Sequence, residues 1–210
     1  PWWEWPAPLA RRDRRALADL IRDRKQELLA EALLQWQLQE QWQALRQRAR
    51  QRGVRLLGDL PFYVAHDSAD VWRRPGLFTV GPDGLLLSQS GVPPDYFSAT
   101  GQLWGTPVYR WWRHRLGGFR WWLERLDRQL DLFDLLRLDH FRALEAFWCV
   151  PGGDRTAEAG VWVESPGGLL LELLRRRCRR RGRLLPGGIL PLIAEDLGAV
   201  SYTHLTLPTT

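Results

Sequence analysis

Apolar side chains recur every three or four positions between Arg11 and Gln51, a spacing that predicts one long helix or two helices in succession. The same spacing returns from Tyr109 to Leu130, and a further helix is predicted over about residues 167–182, directly after a Pro-Gly-Gly turn. Four tryptophans fall on these helical faces and are expected to serve in packing. They are Trp36, Trp42, Trp111 and Trp122.

Three short apolar runs between the helices predict buried strands. The run GVRLLGDLPFYV contains Asp59, FDLLRLDHF ends in Asp139 and His140, and ILPLIAEDLGAV ends in Glu195 and Asp196. Strands that alternate with helices form parallel sheets, and in a (β/α)8 barrel the reacting groups lie at the carboxyl ends of the strands. The sequence therefore predicts an α/β fold with carboxylates gathered at one edge of a parallel sheet.

Residues 65–110 show almost no periodicity and are rich in Gly, Pro, Asp and Ser, which predicts a long functional loop. A shorter loop is expected between the Pro-Gly-Gly turns at Pro151 and Pro166. The longer loop contains Trp104 in an aromatic and hydrogen-bonding setting that suits a sugar ring, although a loop packed on its own domain has the same composition. The neighbours of Trp104 are Asp95, Tyr96, Phe97 and Gln102.

Asp139 and Glu195 are the candidate catalytic pair. Retaining glycosidic chemistry needs an ionised nucleophile and a protonated acid about 5–5.5 Å apart on opposite sides of one bond. Arg137 lies on the same side of its strand as Asp139, and we expect it to keep Asp139 ionised. The alternative is that each acid only caps the helix after its strand.

Composition adds few constraints. The chain is 45% hydrophobic and 26% charged, as in globular proteins, and no apolar run approaches the ~20 residues of a membrane span. The N-terminus lacks a signal-peptide pattern, so we expect a cytoplasmic protein without a membrane partner. Cys149 and Cys178 have no metal-ligand spacing and are expected to be buried free thiols.

The formal net charge of +6 reflects thirty basic residues, of which Lys25 is the single lysine. The densest basic run covers residues 175–183, and we interpret it as a solvated helix end; a nucleic-acid surface is the competing interpretation. Motifs for phosphate, dinucleotide, zinc-protease and serine-hydrolase sites are absent. A metal site at His66, Asp67 and Asp70 is conceivable, but a hydrogen-bonded loop is favoured.

Four segments, in order and spacing, closely resemble successive blocks of the bacterial amylomaltases, the 4-alpha-glucanotransferases of glycoside hydrolase family 77. The resemblance extends over about residues 1–200. It implies a (β/α)8 barrel with inserted subdomains and transfer of α-1,4-glucan segments between maltooligosaccharides with retention, without a cofactor. The segments are GDLPFYVAHDSADVW, GVPPDYFSATGQLWGTPVY, LLRLDHFRALEAFWCVP and LIAEDLGAV.

The resemblance also implies residue roles. Asp139 matches the nucleophile, Glu195 the general acid/base, and Arg137 the arginine that supports the nucleophile. The remaining substrate-binding candidates are His140 and the loop residues Asp95, Tyr96, Phe97, Gln102 and Trp104.

The sequence departs from the family pattern at two points. Ala143 stands where the family usually has Gly, and the third essential carboxylate, in a His-Asp-Asn segment, has no counterpart here. We therefore expect residues 1–200 to be a fragment of the barrel with its central strands, the third to fifth. Residues 201–210 are expected to be a non-native tail, and the chain as written to be inactive and marginally stable. An α-glucan hydrolase, a branching enzyme and a non-catalytic glucan-binding module are the alternative functions.

Overall fold

The computed structural model of the chain describes residues 1–195, so the expectations for Asp196 and for residues 201–210 lie outside the described residues. Its helices are α1 (Ala7–Ala10), α2 (Arg14–Asp23), α3 (Lys25–Gln51), α4 (Ala69–Arg73), α5 (Trp111–Leu116), α6 (Arg120–Leu132) and α7 (Gly167–Arg180). Its strands are β1 (Leu57–Leu60), β2 (Ser88–Val92), β3 (Gln102–Pro107), β4 (Leu135–Leu138), β5 (Ala146–Pro151), β6 (Val161–Glu164) and β7 (Leu192–Ala194).

The three predicted strands form one parallel sheet in the order β1-β4-β7. The register places Asp59 beside Arg137 and Arg137 beside Ile193, so the three carboxyl ends lie together. The prediction of a parallel α/β arrangement is confirmed at this level. Residues 1–195 form an open sheet here and close no barrel.

A second sheet is antiparallel, has the order β3-β2-β5-β6, and was not predicted. The expectation of a long loop over residues 65–110 is wrong in part, because β2 and β3 lie within it. The expected loop after Pro151 likewise contains β6. Buried polar residues hide the strand pattern. Gln89 donates to backbone carbonyls, and the buried Ser90 hydroxyl lies 2.5 Å from that of Thr106.

The predicted helices are mostly present. The first pattern gives two helices, because the chain turns at Arg24 between α2 and α3, and the helix near 167–182 is confirmed as α7. The pattern from Tyr109 to Leu130 is broken into α5 and α6, since Gly118 and Phe119 both adopt positive φ.

The core is a cluster of aromatic rings between β1 and the helices α5 and α6. Trp111 and Trp122 are buried as predicted, and Trp42 packs on Phe133 and donates to the Leu132 carbonyl. Trp36 is a correction: it is 62% exposed, because nothing among residues 1–195 covers the middle of α3. The expectation of two buried thiols is correct for Cys178, whereas Cys149 of β5 is only half-buried.

The basic run is less solvated than expected. Arg177, Arg181 and Arg183 all form ion pairs with the buried Asp127 of α6, so these cations attach α7 and its C-terminal turn to α6. In the 66–70 loop, His66 stacks on Trp3 and meets the Gly84 carbonyl at 2.7 Å, and Asp70 accepts from Trp121. Within residues 1–195, no helix is long and apolar enough to span a membrane.

Candidate active site

The candidate site is built by the carboxyl ends of the parallel strands. Asp139 directly follows β4 and its N–H donates to Leu60 of β1; Glu195 directly follows β7 and its N–H donates to Leu138 of β4. Continuation of the sheet hydrogen bonds past each strand end fixes where both side chains leave the backbone. Both acids therefore lie at the same edge of the parallel sheet.

Arg137 connects three carboxylates. Its Nη1 lies 2.8 Å from both oxygens of Asp59, and its Nη2 donates to Asp139 at 3.1 Å and to Glu195 at 2.6 Å. The guanidinium is planar and always charged, so it holds the three acids in one fixed arrangement.

Glu195 receives a second strong contact. His140 adopts the left-handed backbone conformation, with φ 53°, which turns its N–H toward Glu195 Oε2 at 2.6 Å. A non-glycine residue in this conformation is uncommon, and here it supplies a backbone donor to a functional carboxylate.

The two carboxyls have opposite pKa shifts. Burial, together with a hydrogen bond and charge repulsion from Glu195, raises the pKa of Asp139 above its ordinary value, although Arg137 opposes this. Burial alone would raise the pKa of Glu195, but the His140 N–H, Asp139 and Arg137 together lower it. Arg137 thus lowers the pKa of Asp139, but burial and Glu195 outweigh this effect, because Glu195 has the better donors. The expectation that Arg137 keeps Asp139 ionised stays a prediction.

An aromatic group lines the site beside His140. Trp104 meets the His140 ring edge-on with the centroids 4.9 Å apart, and the buried Tyr63 lies about 6 Å from both rings. Burial lowers the pKa of His140, so its ring is neutral near pH 7. Among residues 1–195, His140 Nε2 is buried without a hydrogen-bond partner. Gln102 accepts from the Trp104 indole at 3.3 Å.

The rest of the predicted loop stands apart. Asp95 caps a turn by accepting from the N–H groups of Phe97 and Ser98. Tyr96 and Phe97 are 98% and 91% exposed, and their ring contact is with each other. The structure thus brings Trp104 and Gln102 to the carboxylates through His140 and leaves Asp95, Tyr96 and Phe97 on an open loop.

Sequence reasoning did not place Asp59 or Tyr63 in the site. Asp59 was recognised as a strand acid, and its register opposite Arg137 would have identified it. Tyr63 carried a weaker signal: it follows a buried strand by three residues and points a polar aromatic side chain toward the same edge.

The fold and the site together define an α/β protein with coupled carboxylates at the ends of parallel strands, an arrangement suited to acid–base and nucleophilic chemistry at a glycosidic bond. Residues 1–204 match the sequence model of the 4-alpha-glucanotransferases of glycoside hydrolase family 77. The chain belongs to this family.

Relatives of known name support this assignment. The chain is 45% identical over 200 residues to the 4-alpha-glucanotransferase of Aquifex aeolicus (strain VF5), covering 95% of this chain and 39% of the relative. It is 41% identical over 201 residues to the 4-alpha-glucanotransferase of Thermus thermophilus, covering 96% and 38%. The chain thus spans well under half the length of these relatives.

The fold matches a solved structure, the amylomaltase from Streptococcus agalactiae in complex with acarbose. The TM-score is 0.87 at 34% sequence identity, and the match covers 96% of this chain and 39% of that one. The open sheet described above therefore corresponds to part of an amylomaltase structure.

Proposed function

We propose that this chain contributes the carboxylate pair of a 4-alpha-glucanotransferase that moves α-1,4-glucan segments between maltooligosaccharides with retention. The observation that carries the proposal is the single Arg137 guanidinium that holds Asp139 and Glu195 together at adjacent strand ends. Family membership supplies the class of substrate, and the relatives' shared name supplies the reaction.

The proposed reaction is a double displacement. A carboxylate oxygen of Asp139 bonds to the anomeric carbon while the glycosidic oxygen takes a proton from Glu195 and leaves as the 4-hydroxyl of a shortened glucan. In the second step, Glu195 removes the proton from an acceptor hydroxyl, whose oxygen bonds to the anomeric carbon and releases Asp139.

The two pKa shifts have opposite directions while the carboxyls are in mutual contact: the pKa of Asp139 is raised and that of Glu195 is lowered, because Glu195 has the better donors. A sugar ring bound between the two carboxyls would break this contact. Glu195 would then no longer raise the pKa of Asp139. We propose that a proton then resides on Glu195, which leaves Asp139 ionised for attack, while His140 Nε2 and the face of Trp104 contact the sugar. Asp95, Tyr96 and Phe97 would close over the donor or acceptor as the open loop moves inward.

We further propose that residues 1–200 are part of a (β/α)8 barrel domain in which β1, β4 and β7 are the third to fifth strands. The parallel order and the shared edge of functional groups support this proposal. The exposed apolar side chains of α3 fit it as well, since helices of a barrel are covered on one face.

The experiment is a chimera in which residues 1–195 replace the matching segment of the Aquifex aeolicus relative, assayed for conversion of maltotriose to glucose and longer glucans. Asp139→Asn should reduce kcat by about 10³-fold or more and Glu195→Gln by about 10²–10⁴-fold. Asp23→Asn, which changes an exposed acid of α2, is the matched control.

The products distinguish the alternatives. Glucose with longer glucans identifies transfer, whereas shorter products alone identify a hydrolase. A chimera that keeps full transfer activity with Asp139→Asn refutes the assigned roles.

A further inference from the structure

A second concave site lies beside the start of α7, outside the Asp139–Glu195 pair. This α7 pocket has a volume of about 610 Å³. Its floor is apolar, with Phe141, Leu144 and Leu171, and its wall carries Trp162 of β6. Pockets with an apolar floor and few polar groups are the usual form of small-molecule sites.

Trp162 is held rigidly although it is 41% exposed. The guanidinium of Arg142 stacks on its ring at 3.7 Å, and Trp148, its cross-strand partner, meets it edge-on at 5.3 Å. Trp148 is itself fixed by a hydrogen bond to the Ala157 carbonyl. A rigid, half-exposed indole offers a contact surface at low entropic cost.

The polar groups of the pocket favour a neutral ligand rich in hydroxyl groups. The lining includes the exposed carboxylates Glu145 and Glu164, and the guanidinium of Arg142 is stacked on the indole. Carboxylates accept hydrogen bonds from hydroxyl groups and disfavour an anionic ligand. The C–H faces of a sugar ring pack on indole and leave the hydroxyl groups free for these acceptors.

We infer that the α7 pocket is a second carbohydrate-binding site, which takes a segment of α-1,4-glucan between Trp162 and the two glutamates. The inference rests on the proposed function for the identity of the glucan, and on the pocket for its location. Phe141 lines the pocket only two residues after Asp139, so the pocket and the candidate catalytic pair are close in the chain.

The test measures binding of maltoheptaose to the full 210-residue chain. Calorimetry gives the affinity, and hydrogen–deuterium exchange locates the protected segment. We expect protection over residues 161–171, and we expect Trp162→Ala to abolish it and to weaken binding there by about tenfold or more. Trp112→Ala is the matched control, since Trp112 is also exposed and also has an arginine, Arg113, over its ring.

A second variant tests the pocket without removing the indole. Gly168 lines the pocket, and a Cβ added there meets no atom within 4 Å, so Gly168→Leu fills the pocket and leaves its walls intact. It should also abolish protection of residues 161–171.

Two results would overturn the inference: no protection of residues 161–171 by maltoheptaose, or protection that survives both Trp162→Ala and Gly168→Leu. Failure of the proposed function is detected by a different experiment. Transfer activity of the chimera that survives Asp139→Asn would contradict the proposed function, and this result does not depend on what the α7 pocket binds.

Discussion

One arginine organises the candidate site at the scale of single residues. Arg137 contacts Asp59, Asp139 and Glu195, so one positive charge faces three acids. The pKa of Asp139 is raised and that of Glu195 is lowered although both acids contact the same guanidinium. The opposite shifts therefore follow from burial and from the other donors that each carboxyl receives.

Replacing Arg137 by Gln should raise the pKa values of both Asp139 and Glu195, because the nearby positive charge lowers both. Carboxyl ¹³C NMR titration of the two variants measures this directly. Arg142→Gln, which removes a neighbouring guanidinium that contacts neither acid, should leave both titrations unchanged. Identical titrations of wild type and Arg137→Gln would contradict the assigned contacts.

The Asp134 carboxyl should make the free energy of unfolding depend on pH in the acid range. Burial would raise its pKa, but the Leu56 N–H, Arg50 and Arg46 lower it from 3.8 to about 2. A folded pKa below the unfolded value contributes stability that is present above about pH 4 and lost as the pH falls toward 2. The contribution is about 2 kcal/mol from the size of the shift.

Urea unfolding at several pH values checks this prediction. Asp134→Asn should be destabilised at pH 7 and should lose the part of the pH dependence between about pH 4 and 2. Asp23→Asn is the control and should keep the wild-type curve. A wild-type curve unaffected by Asp134→Asn would count against the buried ion pair with Arg46.

At the scale of helices and strands, α5 and α6 pack around the segment that follows β1, and α3 contacts α6. The break between α5 and α6 at Gly118 and Phe119 lets the two helices surround Phe62 of the segment after β1. Arg46 of α3 then donates to the Leu130 and Phe133 carbonyls at the end of α6, where the helix leaves acceptors without partners. These contacts attach α3 to the C-terminal end of α6.

Trp122→Ala should lower the free energy of unfolding by about 3–5 kcal/mol, because this fully buried ring contacts four others and leaves a large cavity. Trp112→Ala, on the exposed side of α5, should cost less than about 1 kcal/mol. Chemical denaturation of both variants provides the comparison. Equal costs would show that the aromatic cluster is not the core.

At the scale of the whole molecule, the notable feature is the apolar surface that the long helix α3 exposes. Between Leu28 and Leu38, the large apolar side chains of α3 are 47–62% exposed within the described part of the chain. Contiguous apolar surface of this kind marks a face that packs on another surface or promotes aggregation. This feature agrees with a chain that spans well under half the length of its relatives.

The triple substitution Leu29→Gln, Leu33→Gln and Trp36→Gln should therefore reduce self-association of the purified chain and its binding of a hydrophobic dye. Light scattering and dye fluorescence measure the two effects. Leu116→Gln, at an apolar side chain 80% exposed at the end of α5, is the control and should change neither. Unchanged scattering by the triple variant would contradict the role of α3.

Local patterns were sufficient for α2, α3 and α7 and for the three parallel strands. The runs around Asp59, Asp139 and Glu195 are apolar, and the acids at their ends stand out against that background. Only alternate residues of β1 and β4 are buried, and β7 has no buried residue within the described part of the chain.

Local periodicity did not predict β2, where Gln89 and Ser90 are buried with polar partners. Burial of such residues depends on hydrogen bonds to other segments, which no single segment contains. The prediction that Trp36 serves in packing is wrong for the opposite reason. An apolar helical face predicts a contact, but nothing among residues 1–195 covers this side chain.

The sequence by itself determined the alternation of helices and strands, the candidate pair Asp139 and Glu195 with Arg137 beside it, and the family to which the chain belongs. These follow from patterns within short segments and from motifs that occur in order. Only the tertiary structure decided that Arg137 also holds Asp59, that the His140 N–H is directed at Glu195, and hence that the pKa values of the two carboxyls shift in opposite directions. The physical reason is that a pKa depends on every charge and donor within a few ångströms, and those groups come from strands far apart in the chain.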